Sequence, residues 1–440
     1  MSASETGSER PDRILVIYVT AKLPYGASEP FLIPEVTALE REGCDVTVVP
    51  VRRAGDLVHD DAAALVPRAV ALPVVTGAIL RAALAELVRA PVAVLRALFL
   101  LRASRSTRIL LKNLAVFPKG LWLGRYARRR GAAHLHAHWA STSATLAMVA
   151  SEISGIAWSV TAHRWDIAEN NLLPLKASRA CFVRAISARG AEQLRQIVAK
   201  PGWSPWVLHV GVEVPPRTRA PALANGPLRI LTAASFVEVK GHVHLLAAVR
   251  RLKDMGVSVR LDLAGDGPTT ASLRSRVGEL GLDEDVAFLG RVSHARLLTD
   301  LADGRWHAVV LPSVVAGDGS QEGIPVSLME AMARGVPAVG TESGAIAELL
   351  GDGAGILVPP ADSDALARAL ARLASEPALA ARLAERGRAR IEESFAVDRA
   401  ARALHARFGQ CAGVRRRLGG GGRESAEMTN RRTAGGGVSP

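Results

Sequence analysis

The sequence predicts an α/β protein with two domains, each built on a doubly wound parallel sheet. The chain has 440 residues, enough for two or three domains. Short apolar runs alternate with helical patterns through both halves, and a proline-rich stretch, Pro215–Pro227, separates them. Hydrophobic residues make up 49% and charged residues 22% of the chain, which excludes a largely disordered or collagen-like protein. Only 4% of the residues are aromatic, which argues against a base-stacking platform for single-stranded nucleic acid.

The N-terminal half begins with a βαβ unit. An apolar strand at Ile14–Val19 is followed by a helix that Ser28 caps and Gly43 ends. A second apolar strand follows at Asp45–Val49. Further strands are predicted at His134–Ala137, Ala157–Thr161, Cys181–Ile186 and Trp206–His209.

The C-terminal half alternates more regularly between strands and helices, which is typical of a parallel sheet covered on both faces. Strands are predicted at Leu228–Ala234, Val259–Ala264, Val286–Leu289, Ala308–Leu311, Pro337–Gly340 and Gly355–Val358. Helices are predicted at His242–Asp254, Thr270–Gly281, Ala295–Ala302, Val326–Arg334, Ala345–Leu350 and Ser363–Ala374.

These elements divide the chain into an N-terminal domain, residues 13–216, and a C-terminal domain, residues 217–395. A final helix, residues 396–411, is expected to return to the N-terminal domain. Residues 1–12 and 412–440 are polar and have little to bury, so both are expected to be disordered. Two such domains are expected to face each other across a cleft at the carboxyl ends of their strands, where open α/β sheets bind ligands.

The three cysteines, Cys44, Cys181 and Cys411, are widely spaced and form no CxxC pair. The spacing therefore predicts neither a disulfide nor a cysteine metal site, and it fits a reducing cytoplasm. The N-terminus is polar and acidic, unlike a secretory signal. No uncharged apolar run reaches ~18 residues, so no membrane-spanning helix is expected.

Positive charge is concentrated in one segment. The chain carries a net charge of +13, and residues 81–130 hold twelve Lys or Arg with Glu86 as the single acid, a net charge of +11. Apolar residues recur there at three- or four-residue steps from Leu80 to Leu98. This pattern predicts helices lying on an anionic membrane surface through residues 81–130. The alternative is a pair of ordinary docked helices with a solvated basic face, and no nucleic-acid motif accompanies the charge.

The most informative stretch runs from Pro312 to Met332. A glycine-rich turn follows an apolar strand, and Pro325 stands where a helix is expected to begin. Free N–H groups at such a helix start favour a diphosphate. Glu322 and Glu330, eight residues apart, flank this position, so each can accept hydrogen bonds from hydroxyl groups on one side of the diphosphate. A ligand with hydroxyl groups on both sides of a diphosphate, a hexose on one side and a ribose on the other, is a sugar nucleotide.

This stretch resembles the E-x7-E signature of retaining GT-B glycosyltransferases of family 4, and most of all the bacterial exopolysaccharide enzymes of the colanic-acid type. The resemblance covers about residues 13–410 and implies the GT-B architecture of two Rossmann-like domains. It implies that Glu322 binds hydroxyls of the transferred sugar and that Glu330 takes the ribose hydroxyls. It also implies that the backbone around the sugar and phosphates comes from Gly323, Ile324, Pro325 and Val326.

Three further loops of the C-terminal half resemble donor-site elements of this family. Many members carry an Arg and a Lys on the diphosphate; here Lys240 is kept and Ser235 replaces the Arg, so another basic residue substitutes or donor binding is weaker. Lys240 would stabilise the departing diphosphate. The Gly265-Asp266-Gly267 turn resembles a donor-side loop, and Arg291 follows a strand that resembles the base-contacting one. Without the resemblance, Lys240 would be interpreted as a surface lysine and Asp266 as a turn residue.

In the N-terminal half, the run from Thr161 to Ile167 resembles the family's T-x-H-x-x-D-I element, which implies that His163 lies close to the anomeric centre. Asp166 is placed near the acceptor or as a structural support. Tyr25 and Gly26 open a segment that resembles the family's S-E-T-F element, and they are assigned to the acceptor side. Three alternating histidines, His134, His136 and His138, are interpreted as strand residues rather than metal ligands.

The resemblance implies an enzyme that moves a hexose from a nucleoside-diphosphate sugar to a saccharide or lipid-linked saccharide, in exopolysaccharide or cell-envelope glycan synthesis. With the cysteine usage and the basic segment 81–130, the expected enzyme is cytoplasmic and peripherally membrane-bound. The resemblance also implies retention of the anomeric configuration without a metal or a further cofactor. One alternative is a nucleotide-sugar epimerase of the same architecture. The other is an inactive membrane-associated scaffold that only binds sugar nucleotide, which the Ser235 replacement favours.

Overall fold

The computed structural model describes residues 13–26, 29–53, 55, 60–217 and 226–413. The termini predicted to be disordered lie outside these residues, except 412 and 413, which end a helix. The predicted helix cap Ser28 also lies outside them. The described chain forms two compact units: one contains the residues up to Ile186, Gly190–Leu208 and those from Ala401 onward, and the other contains Ser187–Arg189 and His209–Ala400.

Six parallel strands form the sheet of the first unit. They are β1 (Ile14–Thr20), β2 (Cys44–Pro50), β3 (His134–His138), β4 (Ala157–Ala162), β5 (Val183–Ala185) and β6 (Trp206–Val207). The helices are α1 (Leu32–Arg41), α2 (Gly77–Arg89), α3 (Pro91–Leu100), α4 (Thr107–Arg130), α5 (Thr142–Ser154), α6 (Arg164–Glu169), α7 (Leu173–Arg179) and α8 (Ala188–Val198), with 3-10 turns at Asp60–Arg68 and Leu101–Ala103.

The strand order β2–β1–β3–β4–β5–β6 reverses direction at β1. Right-handed crossovers in opposite directions put helices on both faces of the sheet. The strands are consequently buried on both faces, and β1 reads as a continuous apolar run for this reason. The reversal leaves a crevice beside the carboxyl ends of β1 and β3.

The second unit repeats this plan with another parallel six-stranded sheet. Its strands are β7 (Leu228–Ala233), β8 (Val259–Ala264), β9 (Val286–Gly290), β10 (Ala308–Leu311), β11 (Ala338–Thr341) and β12 (Ile356–Val358), in the order β12–β11–β10–β7–β8–β9. The helices are α9 (His242–Asp254), α10 (Thr270–Glu279), α11 (His294–Ala302), α12 (Val326–Ala333), α13 (Ile346–Leu350), α14 (Ser363–Ser375) and α15 (Pro377–Arg390), with a 3-10 turn at Glu238–Lys240 and a π-helical turn at Ile391–Phe395.

Residues 209–217 belong to the second unit, whereas the sequence assigned most of them to the N-terminal domain. Val212 N donates to Phe395 O over 2.8 Å, and Val397 N donates to Val212 O over 3.0 Å. These two backbone hydrogen bonds tie the segment to the end of the second unit.

The C-terminal helix, residues 397–413, belongs to the first unit from Ala401 onward. Phe408 is fully buried on it. The Phe408 ring lies 4.8 Å from the His134 ring, 6.4 Å from Tyr18 and 6.1 Å from Phe182, measured between centroids. This cluster is the main apolar anchor of the helix.

The structure contains a disulfide between Cys181 and Cys411, so the expectation of no disulfide is wrong. The two cysteines are 230 residues apart in the sequence, but the return of the C-terminal helix brings their Cα atoms within 6.2 Å. That distance is in the range that a disulfide requires. Cys44 is buried and free.

The substitution Phe408→Ala is expected to lower the free energy of unfolding by about 3–5 kcal/mol, because it removes a fully buried ring and leaves a cavity. Six of the seven tryptophans lie in the first unit, so tryptophan fluorescence in a urea titration measures this loss. Arg402→Ala, at an exposed position of the same helix, is the control and should cost less than about 1 kcal/mol. Equal losses in the two variants would contradict the anchoring role of Phe408.

In the described part of the chain, no helix combines the length and the apolar character that crossing a bilayer requires.

Candidate functional site: the switch points of the two sheets

The predicted donor-site residues lie at the carboxyl edge of the second sheet. β7 and β10 are neighbours there, and the strand order runs away from them in both directions, so the loops after these strands stand at the topological switch point. Val314 N, after β10, donates to Val239 O, after β7, over 2.9 Å. A Cβ atom added at Gly241 would lie 2.0 Å from Pro312 O, so only glycine allows this approach.

Glu322 and Lys240 meet at this point. The Lys240 Nζ atom lies 2.5 Å from Glu322 Oε2, and Ser313 Oγ donates to the same oxygen over 3.2 Å. The Lys240 side chain is 21% and the Glu322 side chain 13% exposed. Partial burial strengthens their attraction relative to a surface pair. Gly344 packs so closely on the Glu322 backbone that an added Cβ would lie 1.8 Å from Glu322 O, which fixes the loop.

Helix α12 begins at Val326, directly after this pair. Pro325 precedes the helix as its N-cap residue, with φ −78° and ψ 122°, and the helix starts at Val326 as the sequence predicted. The first intrahelical hydrogen bond runs from Met329 N to Pro325 O. The N–H groups of Val326, Ser327 and Leu328 therefore have no acceptor within the helix, and they coincide with its positive dipole end. This start can seat an anion.

The loop between Glu322 and α12 is short, and one of its backbone N–H groups binds the Glu322 side chain. Gly323 N donates to Glu322 Oε1 over 3.1 Å, which holds the carboxylate against its own backbone. Ile324 is half-buried and packs on the apolar cluster beneath α12. Glu322 to Val326 thus form the short turn that leads from the Lys240 contact into α12.

Glu330 lies one turn into α12 and is 8% exposed. His294 Nε2, at the start of α11, lies 2.6 Å from Glu330 Oε1. Arg334 donates to the Glu330 carbonyl oxygen over 3.1 Å. His294 is exposed and comes from a different helix, so its contact orients the Glu330 carboxylate from outside α12.

The loop after β8 packs against the loop after β7. A Cβ atom at Gly265 would lie 2.0 Å from Ala234 O, and one at Gly267 would lie 2.3 Å from Phe236 O. Close backbone approach therefore explains both glycines. Ser235 is exposed between these contacts. This packing puts all three predicted residues at the same edge of the sheet.

Arg291 follows β9 at that edge. Its Nε lies 3.7 Å from Asp266 Oδ2, and 81% of its side chain is exposed. The Asp266 carboxylate also accepts from Thr270 Oγ1 and Gly267 N, and these contacts lower its pKa. Asp266 is thus the turn residue that the sequence suggested, and Arg291 is an exposed cation beside the loop that carries Ser235.

The arrangement is suited to a diphosphate. A helix start without acceptors supplies N–H donors, Lys240 supplies a point charge, and two carboxylates stand before and within the helix. Preorganised donors of this kind stabilise negative charge that develops on a leaving group.

In the first unit, the predicted residues also lie at the switch point, where β1 and β3 end. Glu29 is 2% exposed and accepts three backbone hydrogen bonds from the loop after β1, at 2.6–3.0 Å. Trp139 Nε1, after β3, donates to Glu29 Oε1 over 2.5 Å. Tyr25 and Gly26 lie on the loop that Glu29 holds, and the Arg53 guanidinium lies 5.2 Å from the Tyr25 ring centroid.

His163 directly follows β4, at the N-cap of α6, and is 6% exposed. Its Nε2 lies 2.7 Å from His138 Nε2, and the Trp139 ring stacks on it with centroids 4.2 Å apart. Burial lowers the pKa of His163 to about 3, so the imidazole is neutral at neutral pH. Glu35, fully buried and paired with Arg184 at 2.6 Å, lies 3.7 Å from the other nitrogen of His138.

Asp166 is buried, and its carboxylate accepts hydrogen bonds from the backbone N–H groups of His163 and Ala140. Burial raises the pKa of Asp166 to about 7, against these hydrogen bonds. Lys176, also buried, donates to Ala140 O and Ser141 O, and burial lowers its pKa to about 7. Of the two roles predicted for Asp166, these contacts favour structural support of the loop over contact with the acceptor.

The three histidines of β3 are fully buried, and two of them, His134 and His136, face hydroxyl groups of β4. His134 and His136 both contact Ser159 Oγ, at 2.7 and 2.8 Å, and His136 contacts Thr161 Oγ1 at 2.9 Å. Among the described residues, no group of three or more His, Cys, Asp or Glu side chains is arranged to hold a metal ion.

Sequence reasoning assigned no role to several residues that support the site: Ser313, Gly344, His294, Glu29, Trp139 and Lys176. Gly344, His294 and Trp139 contact predicted residues from distant parts of the chain, so no local pattern identifies them. Ser313 and Glu29 instead lie in the local motifs, within nine residues of groups that they bind. Trp139 had no local signal, although it adopts a positive φ of 127°.

The sequence of the second unit is similar to that of known proteins. Residues 217–390 match the family described as Glycosyl transferases group 1. A putative colanic acid biosynthesis glycosyltransferase, WcaL, of Escherichia coli strain K12 is 39% identical over 150 residues, 33% of this chain and 35% of that protein. The amylovoran biosynthesis glycosyltransferase AmsK of Erwinia amylovora is 37% identical over 124 residues, 28% of this chain and 30% of that protein. The matched region spans about a third of the length of these curated relatives.

Solved structures extend the likeness to the whole fold. The crystal structure of Anabaena Alr3699/HepE in complex with UDP superposes with a TM-score of 0.67 at 17% identity, and covers 90% of this chain and 100% of that chain. The chain therefore has the two-sheet GT-B fold of glycosyltransferases, and its second unit carries the region that matches the group 1 family.

Proposed function

We propose that the protein is a glycosyltransferase that binds a nucleoside-diphosphate sugar on its second unit. The observation that carries this proposal is the Glu322–Lys240 pair, held at 2.5 Å at the sheet's switch point and directly before the start of α12. The diphosphate rests on the N–H groups of Val326 to Leu328 and on Lys240. Glu322 binds the transferred hexose, and Glu330, oriented by His294, binds the ribose.

The comparisons support a sugar nucleotide as donor. Alr3699/HepE has been crystallised with UDP and, in another structure, with UDP-glucose. Two relatives are named for the biosynthesis of colanic acid and amylovoran. We therefore propose a hexose donor and a role in exopolysaccharide or cell-envelope glycan synthesis, with a saccharide or lipid-linked saccharide as acceptor.

The proposed reaction retains the anomeric configuration. The acceptor oxygen attacks the anomeric carbon on the face that the diphosphate leaves, the bond from that carbon to the phosphate oxygen breaks, and a phosphate oxygen takes the acceptor's proton. Lys240 and the helix start stabilise the charge on the leaving diphosphate, so no metal is required. Neutral His163 is proposed to hydrogen-bond near the anomeric centre, with its tautomer set by His138. Many family members carry an arginine at the position of Ser235, and Arg291 is proposed to take over the role of that arginine.

A thermal-shift series with UDP-, GDP- and ADP-sugars tests donor binding. A ligand that binds only the native state raises the melting temperature, by an amount that grows with its concentration relative to Kd. One of these nucleotide sugars is expected to stabilise the protein, and Lys240→Met is expected to abolish the shift. The absence of any shift across the series would contradict the proposal. Release of free epimerised sugar without an acceptor would instead favour the epimerase.

Glu330→Gln is expected to raise KM for the donor about tenfold and to leave kcat within a factor of a few. The ribose lies away from the reacting bond, so its contact is made equally in the ground and transition states. Steady-state kinetics with the donor varied measures this split. Glu279→Gln, at an exposed position of α10, is the control and should change neither constant. A fall in kcat with unchanged KM would place Glu330 at the reacting centre instead.

A further inference from the structure

The first unit exposes a large apolar surface on three consecutive helices. Seventeen large hydrophobic side chains are exposed among the described residues, and ten of them lie between Leu80 and Leu114. They belong to α2, α3 and the first half of α4. We call them the apolar face: Leu80, Leu84, Leu87, Val88, Val92, Leu95, Leu98, Phe99, Leu111 and Leu114.

Helical geometry explains this face. α3 buries Val94 and Ala97, which pack against α4 and α5. At 100° per residue, Val92, Leu95 and Phe99 point to the opposite side of α3. Their side chains are 78%, 60% and 65% exposed. The apolar stripe of the sequence therefore faces outward instead of towards the core.

α2 has the same arrangement. It buries Ile79 and Glu86, whereas Leu80, Leu84 and Val88 recur at four-residue steps on its outward side. The helix is well defined, because the Thr76 side chain caps it by accepting from Ile79 N over 3.2 Å. Both helices thus present an apolar side that no described residue covers.

The charge that residues 81–130 themselves expose has one sign. Glu86, the single acid of residues 81–130, is fully buried and forms ion pairs with Arg89, Arg125 and Arg128. Lys119 is also buried and donates to three backbone carbonyl groups. The net charge of residues 81–130 is therefore larger than the charge that they expose. The charge that these residues do expose is positive.

Six arginines of the segment are exposed and have no ion-pair partner among the described residues. Two others that the sequence placed on the basic face are engaged, because Arg89 binds Glu86 and Arg96 lies 3.6 Å from Glu152. The six are Arg81, Arg102, Arg105, Arg108, Arg129 and Arg130.

We propose that α2, α3 and the first half of α4 form a docking surface for an anionic lipid bilayer. The apolar face enters the boundary between head groups and acyl chains, and the exposed arginines contact the lipid phosphates. An apolar side flanked by one sign of charge matches this partner. A second copy of the chain would bring the same arginines against each other in a symmetric interface, and like charges there are repulsive.

Sedimentation with lipid vesicles tests this surface. The wild type is expected to pellet with vesicles of equal parts phosphatidylcholine and phosphatidylglycerol, more weakly with phosphatidylcholine alone, and less as salt is raised. The triple variant Val92→Ser, Leu95→Ser, Phe99→Ser is expected to lower the partition coefficient at least tenfold. Its matched control replaces three exposed apolar residues elsewhere, Val66→Ser, Val207→Ser and Met255→Ser, and should bind as the wild type does.

Three single variants test the contribution of charge alone. Arg102→Gln, Arg105→Gln and Arg108→Gln are each expected to lower partitioning about fivefold on the anionic vesicles, since one basic residue near such a surface contributes ~1 kcal/mol. The same changes should leave binding to phosphatidylcholine nearly unaltered. The three positions of the serine variant and the three arginine positions are all exposed, so these variants should melt at the wild-type temperature.

Two results would overturn the proposal. One is equal pelleting of the wild type and the serine triple variant. The other is a wild-type dimer in light scattering that the triple variant dissociates while neither protein binds vesicles, which would make the apolar face an interface between copies. Vesicle binding needs no donor, so a failure of the proposed transfer reaction would leave this test unaffected.

Discussion

Replacing Glu322 by glutamine is expected to lower kcat/KM for sugar transfer about a hundred- to a thousandfold, with most of the loss in kcat. The change removes the charge that holds Lys240 and the carboxylate proposed to grip the hexose, and loss of one preorganised polar contact in an active site costs about 3–4 kcal/mol. Glutamine keeps the size of the side chain, so the loop before α12 should keep its packing on Gly344.

A double-mutant cycle with Lys240→Met sharpens this prediction. The two side chains are in direct contact at 2.5 Å, so their effects should not add. The double variant is expected to lose less than the sum of the single losses, because each single change already breaks the pair. The exposed Glu279→Gln serves as the control for adding a glutamine to this unit.

Equal, negligible turnover in the wild type and in Glu322→Gln would contradict the proposed reaction. With donor binding intact, that result would favour the scaffold that only binds sugar nucleotide. Additive losses in the cycle would show that Glu322 and Lys240 act apart, contrary to the geometry of the pair.

Acid is expected to destabilise the first unit through its buried histidines. Burial lowers the pKa of both His134 and His163 to about 3, and it also lowers the pKa values of His136 and His138 well below the ordinary value of a histidine. The unfolded chain binds these protons near pH 6.5 and the folded chain does not, so stability is complete above about pH 6.5 and falls as the pH drops. At about pH 5, His134 and His163 each cost roughly 2 kcal/mol.

Asp166 acts in the opposite direction. Its pKa is raised to about 7, so the folded state takes up this proton more readily than the unfolded state and gains stability as the pH falls below 7. The stability gained from Asp166 offsets the loss caused by about one histidine. The loss caused by the four histidines together is larger than this gain.

Urea unfolding followed by tryptophan fluorescence at about pH 7.5 and pH 5 measures the difference. In His134→Asn, the stability lost between the two pH values should shrink by roughly 2 kcal/mol, whatever the substitution costs at neutral pH. A purely structural effect would lower stability equally at both pH values. A wild-type stability that does not change with pH would contradict the buried, neutral state of these histidines.

The alternation of strands and helices was readable from the sequence because buried parallel strands form continuous apolar runs. All twelve strands lie where the pattern placed them, within a few residues. Helix α15 was not predicted, because its apolar positions are mostly alanine and give a weak periodic signal. The disulfide was missed because sequence spacing carries no information about the return of the C-terminal helix.

The direction in which α2 and α3 face could not be predicted for a similar reason. Periodicity identifies the apolar stripe of a helix but not the partner that covers it. Val94 and Ala97 bind α3 to its neighbours, and the larger residues Val92 and Phe99 face outward. Counting charges was equally incomplete, because Lys119 satisfies three carbonyl groups inside the protein instead of contributing to the surface.

At the candidate site, the sequence predicted the residues that follow strands but not those that hold them in place. Glu322 and Lys240 belong to local motifs, and the structure brings them together. Some of their supports come from farther along the chain: Gly344 packs on the Glu322 backbone, and His294 reaches Glu330 from another helix. Long-range contacts of this kind depend on the strand order, which one sequence does not specify.

The most direct test is a crystal structure with a bound nucleoside-diphosphate sugar. We expect the diphosphate within hydrogen-bond distance of the Val326–Leu328 N–H groups and Lys240 Nζ, with the hexose hydroxyls on Glu322 and the ribose hydroxyls on Glu330. A nucleotide bound at another edge of the second sheet, or one whose phosphates leave both Lys240 and the start of α12 untouched, would contradict the proposed function.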